Sequence, residues 1–371
     1  MNMRKAITLI ILTCFLSACG AGPDSQPRTG ETTPAADGPA LSLTKRETLC
    51  RDFVLDKMVT TEGGIRTNYL DKPHQRDYAT GGEVLSESMG LIMLYAVGNG
   101  DEGLFQRSFA FVREYLDTGT ILSYRYGEDG PYHVNAFVDD IRIIRALILA
   151  GDAFGQGYLD TAYDYADRLY QTNIRNGRVY DMYDERYHKR NERITLCYLD
   201  LSTIKLLADH DDRWAEVYEG MLDIALGGYI SDEVPLFAAS YSYDSGAYSD
   251  GDINMIEAAL TALNLAKVGE CPQQTIRYLK QSIENGAIYG TYSHDGIERN
   301  TMESTAVYAI CALLAAEAGD EEMYAMSINR MDAFQVMDEE NEVYGAFADP
   351  VSLDLYSYDN LMALLAYGRV R

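Results

Sequence analysis

The chain has 371 residues, a formal net charge of −26, one tryptophan and 29 tyrosines. So large an acid excess argues against nucleic acid as a partner, and against a polyanionic polysaccharide unless a locally basic groove takes it. Aromatic chemistry must rest on tyrosine.

In chain order, Arg4 and Lys5 precede the apolar run "AITLIILTCF", the pattern of a secretory signal over residues 1–18. Leu16-Ser17-Ala18-Cys19 resembles a bacterial lipobox, which implies cleavage before Cys19, lipidation of its thiol and anchoring on the extracytoplasmic face. The run is too short for a lasting span, so the mature chain is expected to be anchored to the membrane and not threaded through it. Residues 19–43 hold four of the nine prolines and no aromatic residue, a flexible tether. Residues 44–371 are globular in composition with no second linker, which predicts one large domain.

Periodicity of 3.6 residues with Pro and Gly punctuation predicts helices near 44–58, 84–98, 102–117, 135–151, 157–173, 194–208, 212–225, 252–268, 272–287, 300–317, 320–334 and 356–368. Pro73, Pro131, Pro235 and Pro350 fall between these spans, and Pro272 falls at a helix start. The helices alternate between apolar and amphipathic members. The turns that join them look alike: "AVGNGDEGLF", "LAKVGECPQQ", "AAEAGDEEMY". Apolar members begin about 46 to 59 residues apart, an internal helical-hairpin repeat. Helices apolar on all sides need shielding all round, and their amphipathic partners can face water. An all-α fold follows, an (α/α)6 barrel with inner and outer rings. Long loops rich in Tyr, Asp and Glu then gather at the end where inner helices begin, which suggests a sugar-binding cleft.

In this frame "VLSESMGLIMLYAV" resembles the general-acid segment of glycoside hydrolase family 8, and in particular its divergent exopolysaccharide-associated branch. The resemblance covers residues 45–370 and implies an inverting glycosidase. It places the proton donor at Glu87, with Ser88 where the family has glycine, implying a tighter approach of the sugar. Protonation of Glu87 at neutral pH requires burial and neighbouring carboxylates to outweigh the helix dipole. "VDDIRIIRAL" aligns with the family's sugar-holding aspartates, with Asp140 at the second, Val138 replacing the first and Asp139 available to compensate. "RITLCYLDL" matches the helix whose tyrosine positions the attacking water, here Tyr198.

The base lacks its family pattern of Tyr-Asp followed by arginine. "YSYDSGAYSDGDINMIEAAL" offers Asp244, Asp250 and Asp252, of which Asp252 is expected to open an inner helix 165 residues after Glu87, across the barrel. With Trp214 expected on an outer helix, stacking falls to Tyr124, Tyr126, Tyr180, Tyr183 and Tyr243, which favours a decorated or amino-sugar polymer over crystalline cellulose. Cys50, Cys197, Cys271 and Cys311 match no zinc spacing and read as buried thiols. No metal motif, phosphate loop or nucleophile elbow is present, so a cofactor-free monomer acting on polysaccharide is expected. The altered base segment keeps a second reading open: a catalytically inactive sugar-binding lipoprotein that assists polymer export.

Overall fold

The computed structural model describes residues 43–71 and 81–368. The signal, Cys19 and almost all of the tether lie outside the described residues. Among the described residues the chain is mainly helical: α1 (Leu43–Lys57), α2 (Ser86–Gly98), α3 (Glu102–Phe111), α4 (Phe137–Phe154), α5 (Gly157–Asn173), α6 (Leu201–His210), α7 (Arg213–Gly227), α8 (Met255–Ala266), α9 (Gln273–Glu284), α10 (Thr305–Ala318), α11 (Glu321–Asp332) and α12 (Ser357–Gly368). Each overlaps one of the expected spans.

The even-numbered helices other than α6 are the more apolar ones; α6 buries one stripe, Leu201, Thr203, Ile204 and Leu207. Along α2 every side chain from Ser88 to Val97 is buried, and along α10 every one from Thr305 to Ala315. By contrast α9 buries one stripe, Thr275, Ile276, Leu279 and Ile283. Each fully buried Leu, Ile or Met contributes about 1.5–3 kcal/mol, so the even helices supply most of the driving force for assembly. They pack in succession, α2 on α4, α4 on α6, α6 on α8, α8 on α10 and α10 on α12, and α12 packs back on α2. Odd-numbered helices flank them, with α2 against α3, α4 against α5, α6 against α7, α10 against α11 and α1 against α12.

Side-chain caps fix several helix starts. Asp101 accepts from the Leu104 amide at α3, Asp200 from Thr203 at α6, Ser304 from Ala306 at α10 and Asp320 from Met323 at α11. Gly319, at φ +70°, closes α10 in the left-handed conformation that glycine adopts without strain.

The even helices start later than the periodicity suggested, because short antiparallel ladders hold the preceding residues extended. Val84–Leu85 pairs with Arg125–Gly127, Arg193–Thr195 with Ser240–Ser242, and Ile253–Asn254 with Thr291–Tyr292. A single 3₁₀ turn, Leu196–Tyr198, then precedes α6. Asp252 therefore does not open α8: Asn254 is the cap, accepting from the Ile256 and Glu257 amides. These ladders tie loops to the end of the bundle where even helices begin. No helix among the described residues is long and apolar enough to cross a membrane.

Candidate active site

Glu87 lies half-buried in the first turn of α2, and it is not a cap: Leu85 holds that position and offers no side-chain bond. Burial first, and then the charges of Asp139 and Asp359, push its carboxyl up to about 8, against the pull of Arg142. A carboxyl so placed is protonated at neutral pH and can donate that proton.

Its neighbours are held firmly. Arg142 Nη1 lies 2.8 Å from Asp139 Oδ1, one turn along α4, and the Ser86 hydroxyl donates to Asp139 Oδ2 at 2.8 Å. On α12, Asp359 accepts from the Ala306 amide at 2.9 Å and the Ser304 hydroxyl at 3.1 Å, joining α12 to α10. Burial raises both Asp139 and Asp359 above the ordinary aspartate value. An open pocket of about 860 Å³ runs from Asp359, Ser304 and Glu303 past Phe334 and Tyr356.

A second raised carboxyl stands on α8. Glu257, half-buried in that helix's first turn, is pushed up to about 7, chiefly by burial, with Arg193 opposing and Asp181 adding to the shift. Its charge acts on the Cys197 thiol, which also feels Arg142, and Tyr358 feels Glu87, Arg142 and Cys197. Glu257 thus acts on Cys197 and Glu87 on Tyr358, with Arg142 acting on both of these side chains. The signal for Glu257 and Asp359 was present in the sequence, since each is a lone carboxylate opening an apolar helix, as Glu87 is.

Other expected residues fall elsewhere. Asp140 turns away from Glu87 toward a small cavity of about 10 Å³ between α4 and α5, where it accepts from Asn135 at 2.8 Å and its other oxygen has no hydrogen bond. Burial holds it well above the ordinary value. The gapless alignment selects Asp140, whereas Asp139 is the aspartate that acts on Glu87, because one residue along a helix is a rotation of about 100°. Ser88 is fully buried and bonds Ser357 across the α2–α12 contact at 2.8 Å, so it stitches helices and does not crowd a sugar. Tyr198 is buried beside Cys197.

Asp244 and Asp250 are exposed, and Asp252 is 52% exposed, paired with Arg299 at 3.1 Å. That arginine comes from the loop before α10. Among the tyrosines, Tyr124 is buried against Tyr132, and Tyr126 packs on Phe111 and Tyr115. Tyr180 packs on Tyr243, whose hydroxyl donates to the Val179 carbonyl at 2.5 Å, and the Tyr183 hydroxyl pairs with His188 at 2.9 Å. Much of the tyrosine content therefore builds the loops. Trp214 sits on α7, as expected, 1% exposed against Tyr170. Cys50, Cys197 and Cys311 are buried free thiols, whereas Cys271 is only half-buried. Among the described residues no group of three or more His, Cys, Asp or Glu side chains is arranged to hold a metal ion.

A helical frame whose raised carboxyls include Asp359, in the lining of an open pocket, fits a glycoside-hydrolase-like protein. No protein-family model and no curated protein matches the chain. Solved structures do. One described as a novel alpha-amylase from Clostridium perfringens superposes with a TM-score of 0.84 at 31% identity, covering 90% of this chain and 100% of that one. PssZ from Listeria monocytogenes gives 0.67 at 19% identity, covering 86% and 93%. A cold-adapted family 8 xylanase in complex with substrate gives 0.64 at 12% identity, covering 89% and 92%. The chain belongs to the family of the clostridial protein, and it shares its fold with glycoside hydrolase family 8 enzymes.

Proposed function

We propose that this chain is an extracytoplasmic glycoside hydrolase, an (α/α)6 barrel held at the membrane by lipid on Cys19, that cleaves a polysaccharide with inversion. The observation that carries the reading is Glu87: a carboxyl raised to about 8, beside the Asp139–Arg142 ion pair and within the field of Asp359, which lines the 860 Å³ pocket. Glu87 gives its proton to the leaving oxygen as the glycosidic bond breaks. A second carboxylate on the opposite face takes a proton from the water that attacks the anomeric carbon. Inversion requires about 6.5–9.5 Å between the two carboxyls, enough for that water.

Glu257 fills the second role in this reading, because it lies in the first turn of the even helix α8, is itself raised, and acts on Cys197, which in turn acts on the Tyr358 that feels Glu87. Asp252, with its Arg299 partner, is the rival, and Asp250 and Asp244 stand behind it. Tyr198 and Asp139 would order water and sugar. The clostridial relative supports an α-glucan as the backbone to be cut, and the branch resemblance supports a bacterial exopolysaccharide. Incubation with amylose and with the producing cell's own exopolysaccharide, followed by reducing-end assay and NMR of the first-formed anomer, tests cleavage and inversion together. A retained anomeric configuration would refute inversion, and no release from any polymer would remove the enzyme.

The second reading, an inactive sugar-binding lipoprotein, is favoured by the exposure of Asp244, Asp250 and Asp252. Polymer binding without release by the parent protein would establish it. For the anchor, Cys19→Ala should leave the protein out of the detergent phase, and its continued extraction there would refute lipidation.

A further inference from the structure

Two hairpins between α5 and α6 concentrate positive charge in a chain of −26. In the first, Ile174–Arg175 pairs with Arg178–Val179 around Asn176 at φ 54° and Gly177 at φ 70°. Two left-handed residues make the tightest hairpin turn, and they set Arg175 directly opposite Arg178. Like charges facing each other across a ladder cost stability. In the second, Tyr183–Asp184 pairs with Lys189–Arg190 and carries Arg186, Tyr187 and His188 at its tip, Tyr187 being 67% exposed.

The two hairpins adjoin, since Arg175 and burial together disfavour the charge on Arg190. Arg190 donates to the Gln171 carbonyl at 2.8 Å and lies over the Tyr183 ring at 5.3 Å, and its Nε has no hydrogen bond. Arg178 lies over Tyr243, also at 5.3 Å.

Among the described residues Arg175, Arg178, Arg186, Lys189 and Arg190 form no ion pair with any carboxylate. Other arginines in this chain do, as Arg168 does with Asp117 at 2.7 Å and Arg213 with Asp211 at 2.6 Å. Three carboxylates nearby are engaged, and Glu216 stands against Gly177 of the first hairpin. Asp184 holds the Arg186 and Tyr187 amides, Glu185 binds His133 and Thr118, and Asp181 binds Thr195, Asn191 and Arg193.

The patch also borders the candidate active site. Val134 bridges Asp184, and the Tyr183 amide donates to Asn135 at 2.7 Å, immediately before α4 and Asp139. Arg193, just past the second hairpin, acts on Glu257.

We propose that this cationic, tyrosine-backed rim binds acidic substituents on the polysaccharide that enters the cleft, so that a carboxylate-bearing glycan is held in preference to its neutral counterpart. The inference rests on the reading of the cleft as a glycan site but not on turnover. Guanidiniums whose faces rest on tyrosine rings keep their N–H edges for oxyanions. The acid excess of the chain as a whole disfavours a polyanion, so a cluster of arginines that form no ion pair is where such a polymer gains most.

The test is affinity electrophoresis of the full-length protein, in a Glu87→Gln background to stop cleavage, in amylose and in carboxymethyl-amylose of the same chain length. The parent should bind the carboxymethylated polymer about tenfold tighter, as expected for a few exposed charge pairs. That preference should vanish in about 0.5 M NaCl. It should also vanish in Arg175→Gln/Arg178→Gln/Arg190→Gln and persist in part in the corresponding Lys variant, with thermal midpoints confirming that each folds. Equal binding of both polymers by the parent, or an undiminished preference in the Gln variant, overturns the proposal. So does binding to phosphatidylglycerol vesicles that the Gln variant loses while no glycan preference exists, which would make the rim a membrane contact. A protein that cleaves neutral polymer but shows no preference refutes the rim alone; one that shows the preference but cleaves nothing refutes the hydrolase alone.

Discussion

Gly90 of α2 makes room for Arg142 of α4: a Cβ at position 90 would stand 3.1 Å from Arg142 Cδ and 3.3 Å from its Cγ. The glycine lies one turn beyond Glu87, so the helix that carries the acid also clears the path for the arginine that tempers it. In Gly90→Ala a gain of about 1 kcal/mol in helix propensity is set against crowding of the arginine stem. Stability should change little, while displacement of Arg142 disturbs Asp139 and Glu87 together. A loss of about tenfold in kcat is expected, since small displacements in a site are costly. Steady-state kinetics beside a melting curve checks this, and unchanged kcat would mean that Arg142 does not position the acid.

Glu87→Gln should lower kcat by about 10² to 10⁴ on natural glycosides and spare substrates with activated aryl leaving groups, which need little protonation. It should also alter the pH dependence of stability. The folded protein holds the Glu87 proton up to about 8, whereas the ordinary glutamate value is 4.5, so the parent loses stability as pH rises between them. The variant should lack that decline. Melting temperatures of both proteins at pH 5 and pH 8.5 measure it, and parallel curves would show that Glu87 titrates normally.

The neighbouring aspartates should separate cleanly. Asp139→Asn removes a charge that raises Glu87, so the alkaline limb of the activity profile should move to lower pH and kcat should fall. Asp140→Asn relieves a buried carboxyl beside a small cavity, and activity should stay within about twofold with stability equal or greater at neutral pH. Equal losses in the two variants would return Asp140 to the sugar site.

Glu257→Gln should abolish cleavage of natural and activated substrates alike, because without a base the water is not activated, and the acidic limb near pH 7 should disappear with it. Azide, which needs no base, should restore turnover. Asp252→Asn breaks an exposed ion pair worth about 0–1 kcal/mol and should leave kcat within about threefold. The reverse outcome would make Asp252 the base and Glu257 a buried structural carboxyl.

What the sequence alone determined here is what depends on local periodicity. Apolar runs such as those of α2 and α10 must be shielded on every side, and Pro272, Gly319 and the aspartate caps mark where helices start and stop, so twelve spans could be placed within a few residues. Glu87 was legible for the same reason, as a carboxylate at the head of such a run. Tertiary structure alone decided which carboxylates share its environment. Asp139 and Asp140 are adjacent in sequence, and helix rotation sends one toward Glu87 and the other into a small cavity. Asp252 lost the head of α8 because pairing of Ile253–Asn254 with Thr291–Tyr292 keeps that stretch extended. Its arginine, Arg299, comes from a different loop. Net charge was equally blind to position: −26 is a sum over the chain, whereas the cationic rim exists because two hairpins turn Arg175, Arg178 and Arg190 to one edge.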